Sequence, residues 1–246
     1  MLYTNIKMIT ALACLACACV AAPASRASKR CGLSTANIDI PSGVGLPAPA
    51  YNPTLLGLGV GTQNYTCTSA GTYTNVGALA ELFDVSCLYG SPEFQNLPSY
   101  VYDFWNQASV SPADLIALGE TFDPSFILGE HYFITNPVTG SGLSPKWDFT
   151  SHAFAGYPEA FVVGSKIADV PAPTGSSDID WLTLTNLTGL LANEVYRIDT
   201  RGGQPPASCV PGSAEIHVKY TSLYCQVLGG LVLKDDDREW IHTAIY

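Results

Sequence analysis

His131 and Arg197 are the side chains whose type and position best suit recognition of a small ligand. Each lies in a run of branched and aromatic residues typical of a strand, 126–134 and 195–200, where alternate side chains share a face. An imidazole on an inner face needs a hydrogen-bond partner or loses its charged form, and an inner guanidinium needs compensation. The simpler interpretation is structural: His131 bonds a backbone carbonyl, and Arg197 pairs with Asp199 or another carboxylate.

The functional alternative is that His131 and Arg197 line one cavity. Gln63, Tyr65 and Trp147 are expected as their neighbours, so that a small polar or sugar-like ligand would find aromatic stacking and a charged anchor. This hypothesis requires that the two side chains lie on the same side of the core.

Familiar catalytic and cofactor motifs are absent from the sequence, which has no G-x-S-x-G, no H-E-x-x-H and no phosphate-binding G-x-x-x-x-G-K. The run 57–61 (GLGVG) resembles a dinucleotide loop, but Thr62 stands at the third glycine position and no helix follows, so we interpret it as a β turn. The acidic run 178–180 lacks the glycine and terminal glutamate of a calcium loop, and 235–237 is interpreted as a solvated charge run, so both are expected at the surface. We expect no cofactor and no metal.

The elements that would position these side chains are mostly short strands. Two helices are predicted: one over 78–84, from its apolar spacing, and one opening at Ser111, where Ser can cap, Pro112 suits the first position and Asp114 favours the positive end of the helix dipole. Strands are predicted at 55–60 and 65–68, broken by glycines, and at 126–134, 160–167, 181–187, 195–200 and 214–220.

The run 214–220 is the clearest strand. Ile216, Val218 and Tyr220 alternate with polar residues, which places His217 on the solvent side. Short strands, local turns and few helices predict a mainly β fold, either an antiparallel β-sandwich or a β-barrel. The sequence leaves both open.

The N-terminus predicts secretion. Residues 1–24 have the apolar run and small-residue cleavage signal of a signal peptide, and 25–30 form a short pro-segment ending in the dibasic pair Lys29-Arg30. The apolar run is too short for a membrane anchor. We expect residues 31–246 to form one extracellular, mainly β domain.

The mature chain is strongly acidic. Four of the eleven Lys and Arg residues lie in the leader, so seven remain against twenty-one Asp and Glu, a net charge of about −14. Such a surface repels nucleic acid and anionic membranes. Solubility is the simplest reason for this charge.

Five cysteines remain after the leader, in a compartment where disulfides form. Two bridges can be drawn among five cysteines in fifteen ways. We expect a local bridge from Cys67 to Cys87, a long one from Cys31 to Cys209, and an unpaired Cys225. Sequons at Asn64 and Asn186 make glycosylation plausible, although strand alternation would turn Asn186 inward.

Several motifs, in order, resemble a secreted family of unknown function. They are 61–67 (GTQNYTC), 78–84, 129–133 (GEHYF), 181–182, 197–200 (RIDT), 202–206 (GGQPP) and Cys209. That family occurs in fungi and bacteria, and its fungal members often carry the label malate dehydrogenase. The resemblance implies no activity, and the sequence contains neither the nucleotide-binding βαβ unit nor the Arg clamp with a His–Asp couple that a malate dehydrogenase needs.

The sequence departs from this family after Tyr224. Residues 225–246 replace the family's closing aromatic strand, as a retained intron or altered splicing would do. We predict that this tail packs poorly.

Two classes of function fit the sequence. The favoured one is a non-catalytic extracellular protein that binds a glycan, a cell wall or a host protein, because catalytic motifs are missing and aromatic residues are plentiful. The alternative is a β-barrel enzyme of isomerase, cyclase or hydrolase type. A pocket with convergent His, Arg and carboxylate groups would favour the enzyme.

Overall fold

The fold is a closed antiparallel barrel of eight strands. A computed structural model describes residues 31–122 and 124–227 and, for the backbone alone, 231–233 and 240–242. Each strand pairs with its neighbours in sequence, and β1 pairs with β8 to close the barrel. The mainly β prediction is confirmed, and the structure selects the barrel over the sandwich. The strands are β1 Pro53–Cys67, β2 Tyr73–Asp84, β3 Ile127–Thr135, β4 Leu143–Asp148, β5 Phe161–Val170, β6 Trp181–Thr188, β7 Glu194–Gly202 and β8 Ile216–Val227.

Strand β1 is continuous across the glycines that were expected to break it. Gly57, Gly59 and Gly61 alternate on the face that packs against the interior, and none forms the β turn predicted for 57–61. A Cβ atom on Gly59 would lie 2.6 Å from a ring carbon of Tyr224. The missing side chain at Gly59 therefore makes room for the ring of Tyr224.

The helix predicted over 78–84 is wrong, because these residues belong to β2. Ala80 and Leu82 face the interior, while Glu81 on the outer face is also fully buried. Burial on both faces removes the apolar-polar alternation by which a strand is recognised.

Two helices connect β2 to β3, α1 Leu97–Gln107 and α2 Pro112–Phe122. The helix predicted to open at Ser111 is confirmed. The Ser111 hydroxyl accepts from the Asp114 amide, and the Asp114 carboxylate accepts from the Ser111 amide at 2.8 Å. Neither α-helix of the described ranges is long and apolar enough to cross a membrane.

The barrel has a second apolar core on its outside. The N-terminal segment, through Leu33, Ala36 and Ile38, and helix α1, through Leu97 and Trp105, pack on the outer faces of β1, β7 and β8. Lys219 of β8 donates to the carbonyls of Trp105 and Ala108 at the end of α1. The helix is thereby fastened to the barrel wall.

The disulfide pairing predicted from the sequence is wrong. The same four cysteines are bridged, but as Cys31–Cys87 and Cys67–Cys209, and Cys225 is free and buried. The first bridge ties the N-terminal segment to the turn after β2. The second joins the end of β1 to the β7–β8 loop, which lies beside it because β1 and β8 are neighbours.

Residues 225–227 do not pack poorly. Cys225, Gln226 and Val227 are buried in β8, paired with both β1 and β7. Most of the later part of the tail falls outside the described residues. The two segments of it that are described, Leu231–Leu233 (β9) and Trp240–His242 (β10), form a small separate sheet. The leader, 1–30, and the acidic run 235–237 also lie outside the described residues.

Candidate functional site

His131 faces the barrel interior from β3, where it is 2% exposed. Its Nδ1 lies 2.9 Å from the Lys146 carbonyl oxygen, which can only accept, so Nδ1 carries the proton. Burial lowers the pKa of His131 to about 3. The ring is therefore neutral near pH 7 and offers Nε2 as an acceptor. The bond from Nδ1 to a backbone carbonyl is the one that the structural interpretation of the sequence predicted.

Trp147 of β4 stacks against His131. The ring centroids are 4.5 Å apart with 16° between the planes, and Tyr224 of β8 contacts both rings, at 5.3 Å from His131 and 5.4 Å from Trp147. Trp147 is 1% exposed, and its Nε1 has no acceptor among the described residues. A buried donor without a partner costs about 1–3 kcal/mol, so this N–H marks an unusual position in the core.

Arg197 of β7 reaches the same region, but it does not pair with Asp199 or with another described carboxylate. Its Nε and Nη2 donate to the backbone carbonyl of Asp180 at 3.0 and 2.8 Å. Asp199 instead lies at a bulge with φ 49°, where burial raises its pKa to about 6. The ion pair expected from the sequence is therefore wrong, and the half-buried guanidinium lies within electrostatic reach of His131 and Tyr224.

Gln63 and Tyr65 line the interior from β1. The Tyr65 hydroxyl donates to the Gly203 carbonyl at 2.8 Å, and Gln63 Oε1 accepts from Asn75 at 3.1 Å. Gln63 Nε2 is buried, and the Gln63 side chain lies in hydrogen-bonding contact with the Tyr220 hydroxyl. Tyr65 also lies within electrostatic reach of Arg197.

The structure therefore places all five sequence-predicted residues on the interior side of the wall, from four strands. Sequence reasoning missed Tyr220 and Tyr224, whose buried hydroxyls are 2.9 Å apart. Extending the alternation of 214–220 by two more pairs would have found Tyr224. Burial raises the pKa of both tyrosines, so their hydroxyls stay protonated.

The loop before β6 covers this end of the interior. Asp178 is buried, contrary to the surface position expected for 178–180, and its carboxylate accepts from the Gly202 amide at 2.6 Å. Beside it, Gly203 packs so closely that a Cβ there would lie 2.6 Å from Ile179. Arg197 is anchored to the carbonyl of this same loop.

The interior offers hydrogen-bond donors rather than proton-transfer groups. A pKa near 3 leaves His131 with little affinity for a proton at neutral pH, which makes it a weak general base. No group of three or more His, Cys, Asp or Glu in the described part of the chain could hold a metal ion. The arrangement suits binding of a ligand with acceptor oxygens.

A separate pocket of about 310 Å³ lies on the outside of β3 and β4, lined by Glu130, Tyr132, Asp148, Thr150 and Ser151. Burial would raise the pKa of Asp148, but hydrogen bonds from Lys146, Thr150 and Tyr132 lower it to about 2. Both carboxylate oxygens of Asp148 are engaged. Asp148 thus holds the pocket together and is not free to act as a nucleophile.

The two sequons differ in access. Both amide hydrogens of Asn186 are used, in bonds to the carbonyls of Gly189 at 2.8 Å and Ala192 at 2.7 Å. Asn186 is therefore a poor glycan acceptor in the folded protein. Asn64 is partly exposed, and its glycosylation stays a prediction.

Comparison with known proteins gives one match. The model of a family described as "Protein of unknown function (DUF3455)" matches residues 47–226, which includes nearly the whole barrel from β1 to β8. No curated protein and no solved structure matches the chain.

Proposed function

Because the chain belongs to this family of unknown function, we propose a role from the barrel itself: an extracellular, non-catalytic protein that binds a small polar ligand in the barrel interior. The observation that carries this proposal is the convergence of His131, Trp147 and Arg197 in the barrel interior. Eight-stranded barrels have an interior just wide enough to be filled by side chains or to hold one small ligand.

The chemistry of the interior supports binding over catalysis. Its aromatic rings provide apolar contact surface, and its hydrogen-bond donors can fix the orientation of a ligand. Ligand sites usually combine these two kinds of group. The neutral His131 and the protonated tyrosines offer no group poised to exchange a proton at neutral pH. A sugar, whether free or on a cell wall or host glycoprotein, carries the oxygens that such donors would bind.

The extracellular part of the proposal rests on the sequence of the leader and on the two disulfides, which persist in oxidising compartments. We expect the secreted protein to begin at Cys31 after removal of 1–24 and of the dibasic pro-segment 25–30. N-terminal sequencing and intact mass of protein from culture filtrate check this. A secreted form that still carries Ser25 would overturn the dibasic cut.

Native mass spectrometry of the secreted protein tests the binding function. We expect a small molecule to co-purify, or to be retained when the protein is mixed with glucose, xylose or N-acetylglucosamine. His131→Ala should lose this mass while secretion continues, and His217→Ala, at an exposed histidine, should keep it. Binding retained in folded His131→Ala would place the site elsewhere, and conversion of the bound molecule to a product would overturn the non-catalytic role.

A further inference from the structure

Arg197 brings a positive charge into the barrel interior without a carboxylate to balance it. Within the described ranges it donates to the Asp180 carbonyl, lies in hydrogen-bonding contact with the Tyr224 hydroxyl, and forms no ion pair. A half-buried charge of this kind loses hydration that a carbonyl and a neutral hydroxyl replace only in part. The guanidinium therefore has remaining capacity for an anionic acceptor.

A neutral donor in the same interior also lacks a partner. Trp147 Nε1 is buried in a residue 1% exposed and has no acceptor among the described residues, whereas the buried Gln63 side chain lies against the Tyr220 hydroxyl. A polar core normally satisfies such groups with protein or with ordered water. The unpartnered N–H of Trp147 is therefore available to an acceptor on another molecule.

These groups surround the same pair of rings. His131 stacks on Trp147 and lies within electrostatic reach of Arg197. Tyr224 contacts the rings of both His131 and Trp147, and burial raises its pKa against the smaller, opposing effect of the Arg197 guanidinium charge. Tyr224 thus links Arg197 and Trp147, because its hydroxyl lies in hydrogen-bonding contact with the guanidinium and its ring packs against the indole. His131 is neutral and therefore adds no second positive charge beside Arg197.

We propose that the interior ligand is a small organic carboxylate, held by the Arg197 guanidinium with support from the indole N–H of Trp147. This inference rests on the proposed function and deepens it by naming the ligand class. A carboxylate is planar and matches the fork of a guanidinium, and charge-assisted hydrogen bonds of this type are about twice as strong as neutral ones. The narrow interior restricts the ligand to a small molecule.

Matched pairs of probes test the class. The secreted protein is titrated with acetate against acetamide, pyruvate against pyruvamide, and benzoate against benzamide, with binding followed by calorimetry and tryptophan fluorescence. We expect at least one carboxylate to bind roughly tenfold or more tightly than its amide, the ratio that a charge-assisted hydrogen bond provides. Equal affinity for acid and amide, or preference for inorganic phosphate over every carboxylate, would overturn the inference.

Three variants locate the site. Arg197→Gln should weaken carboxylate binding by roughly tenfold or more, and Arg197→Lys should recover only part of it, because the fork is lost while the charge is kept. Trp147→Phe should weaken binding and remove the fluorescence response. Arg201→Gln, in the same strand but bonded to Ser99 and to its neighbour's carbonyl, is the matched control and should bind normally.

The two proposals fail differently. If sugars or amides bind in a manner that His131→Ala abolishes while carboxylates do not bind, the binding function stands and the carboxylate class is wrong. If no probe binds and nothing co-purifies, both are wrong. Full carboxylate affinity in Arg197→Gln, with a melting temperature near that of the natural protein, would also reject the assignment to this site.

Discussion

Replacing Glu81 by glutamine should remove a large pH dependence from the stability of this protein. Glu81 lies on the outer face of β2 under α2, fully buried, and neither carboxylate oxygen has a hydrogen-bond partner among the described residues. A Cβ atom on Gly119 of α2 would lie 3.5 Å from Glu81 Oε1. Glu130 stands directly opposite on β3, and Glu120 of α2 is also close.

Burial, followed by the charges of Glu130 and Glu120, raises the pKa of Glu81 from 4.5 to about 8. The folded protein therefore holds this proton more tightly than the unfolded chain does. The contribution to the free energy of unfolding is fully present below about pH 4.5, is lost as the pH rises from about 4.5 to 8, and is then constant. At about 1.4 kcal/mol per pH unit, the loss is about 3 kcal/mol by pH 7 and about 4 to 5 kcal/mol above pH 8.

Glu81→Gln keeps the shape of the protonated side chain and cannot ionise. Urea unfolding with the disulfides intact, followed by tryptophan fluorescence at half-unit steps from pH 4 to 9, gives the free energies of unfolding. We expect the variant to match the natural protein near pH 4 and to exceed it by about 3 kcal/mol at pH 7. Using the difference between the two proteins removes the contributions of other titrating groups.

Glu93→Gln, at an exposed position, is the control and should leave the pH profile unchanged. A difference between Glu81→Gln and the natural protein that stays flat from pH 4 to 9 would refute the reasoning. It would mean that the carboxylate ionises in the fold and is compensated there.

Lys219→Met should lower the free energy of unfolding by about 1–2 kcal/mol in urea, because two carbonyls at the end of α1 lose their donor. A change below the error of the measurement would show that water replaces the ammonium. Gly59→Ala should lower the melting temperature, since the added Cβ lies 2.6 Å from a buried tyrosine ring and overpacking costs about 1–3 kcal/mol. An unchanged melting temperature would mean that the ring moves freely. Non-reducing peptide mapping should recover Cys67 joined to Cys209, and a link from Cys67 to any other cysteine would contradict the pairing.

Part of the candidate site could be anticipated from the sequence, because the sharing of a face within a strand is a local property. Alternation has a period of two, so the sequence showed which residues of 126–134 share a face with His131, but not which face is the interior, because both faces mix apolar and polar side chains. The helix at Ser111 is local in the same way, because its cap is formed by residues three apart. The hydrogen-bond partners of His131 and Arg197 were harder to predict. The imidazole bonds a backbone carbonyl, as expected, but Arg197 donates to the carbonyl of Asp180, which lies in a loop and so has no place in the strand alternation.

The sequence by itself determined a mainly β chain, the sets of residues that share a face within a strand, and the four bridged cysteines. The tertiary structure decided the closure of the barrel, the strand identity of 78–84 and which cysteines pair. These depend on which segments meet across long stretches of chain, as in the bridge between residues 142 apart in sequence. When β1 pairs with β8 and a helix covers the wall, both faces of a strand are buried, and the pattern that would reveal the strand disappears.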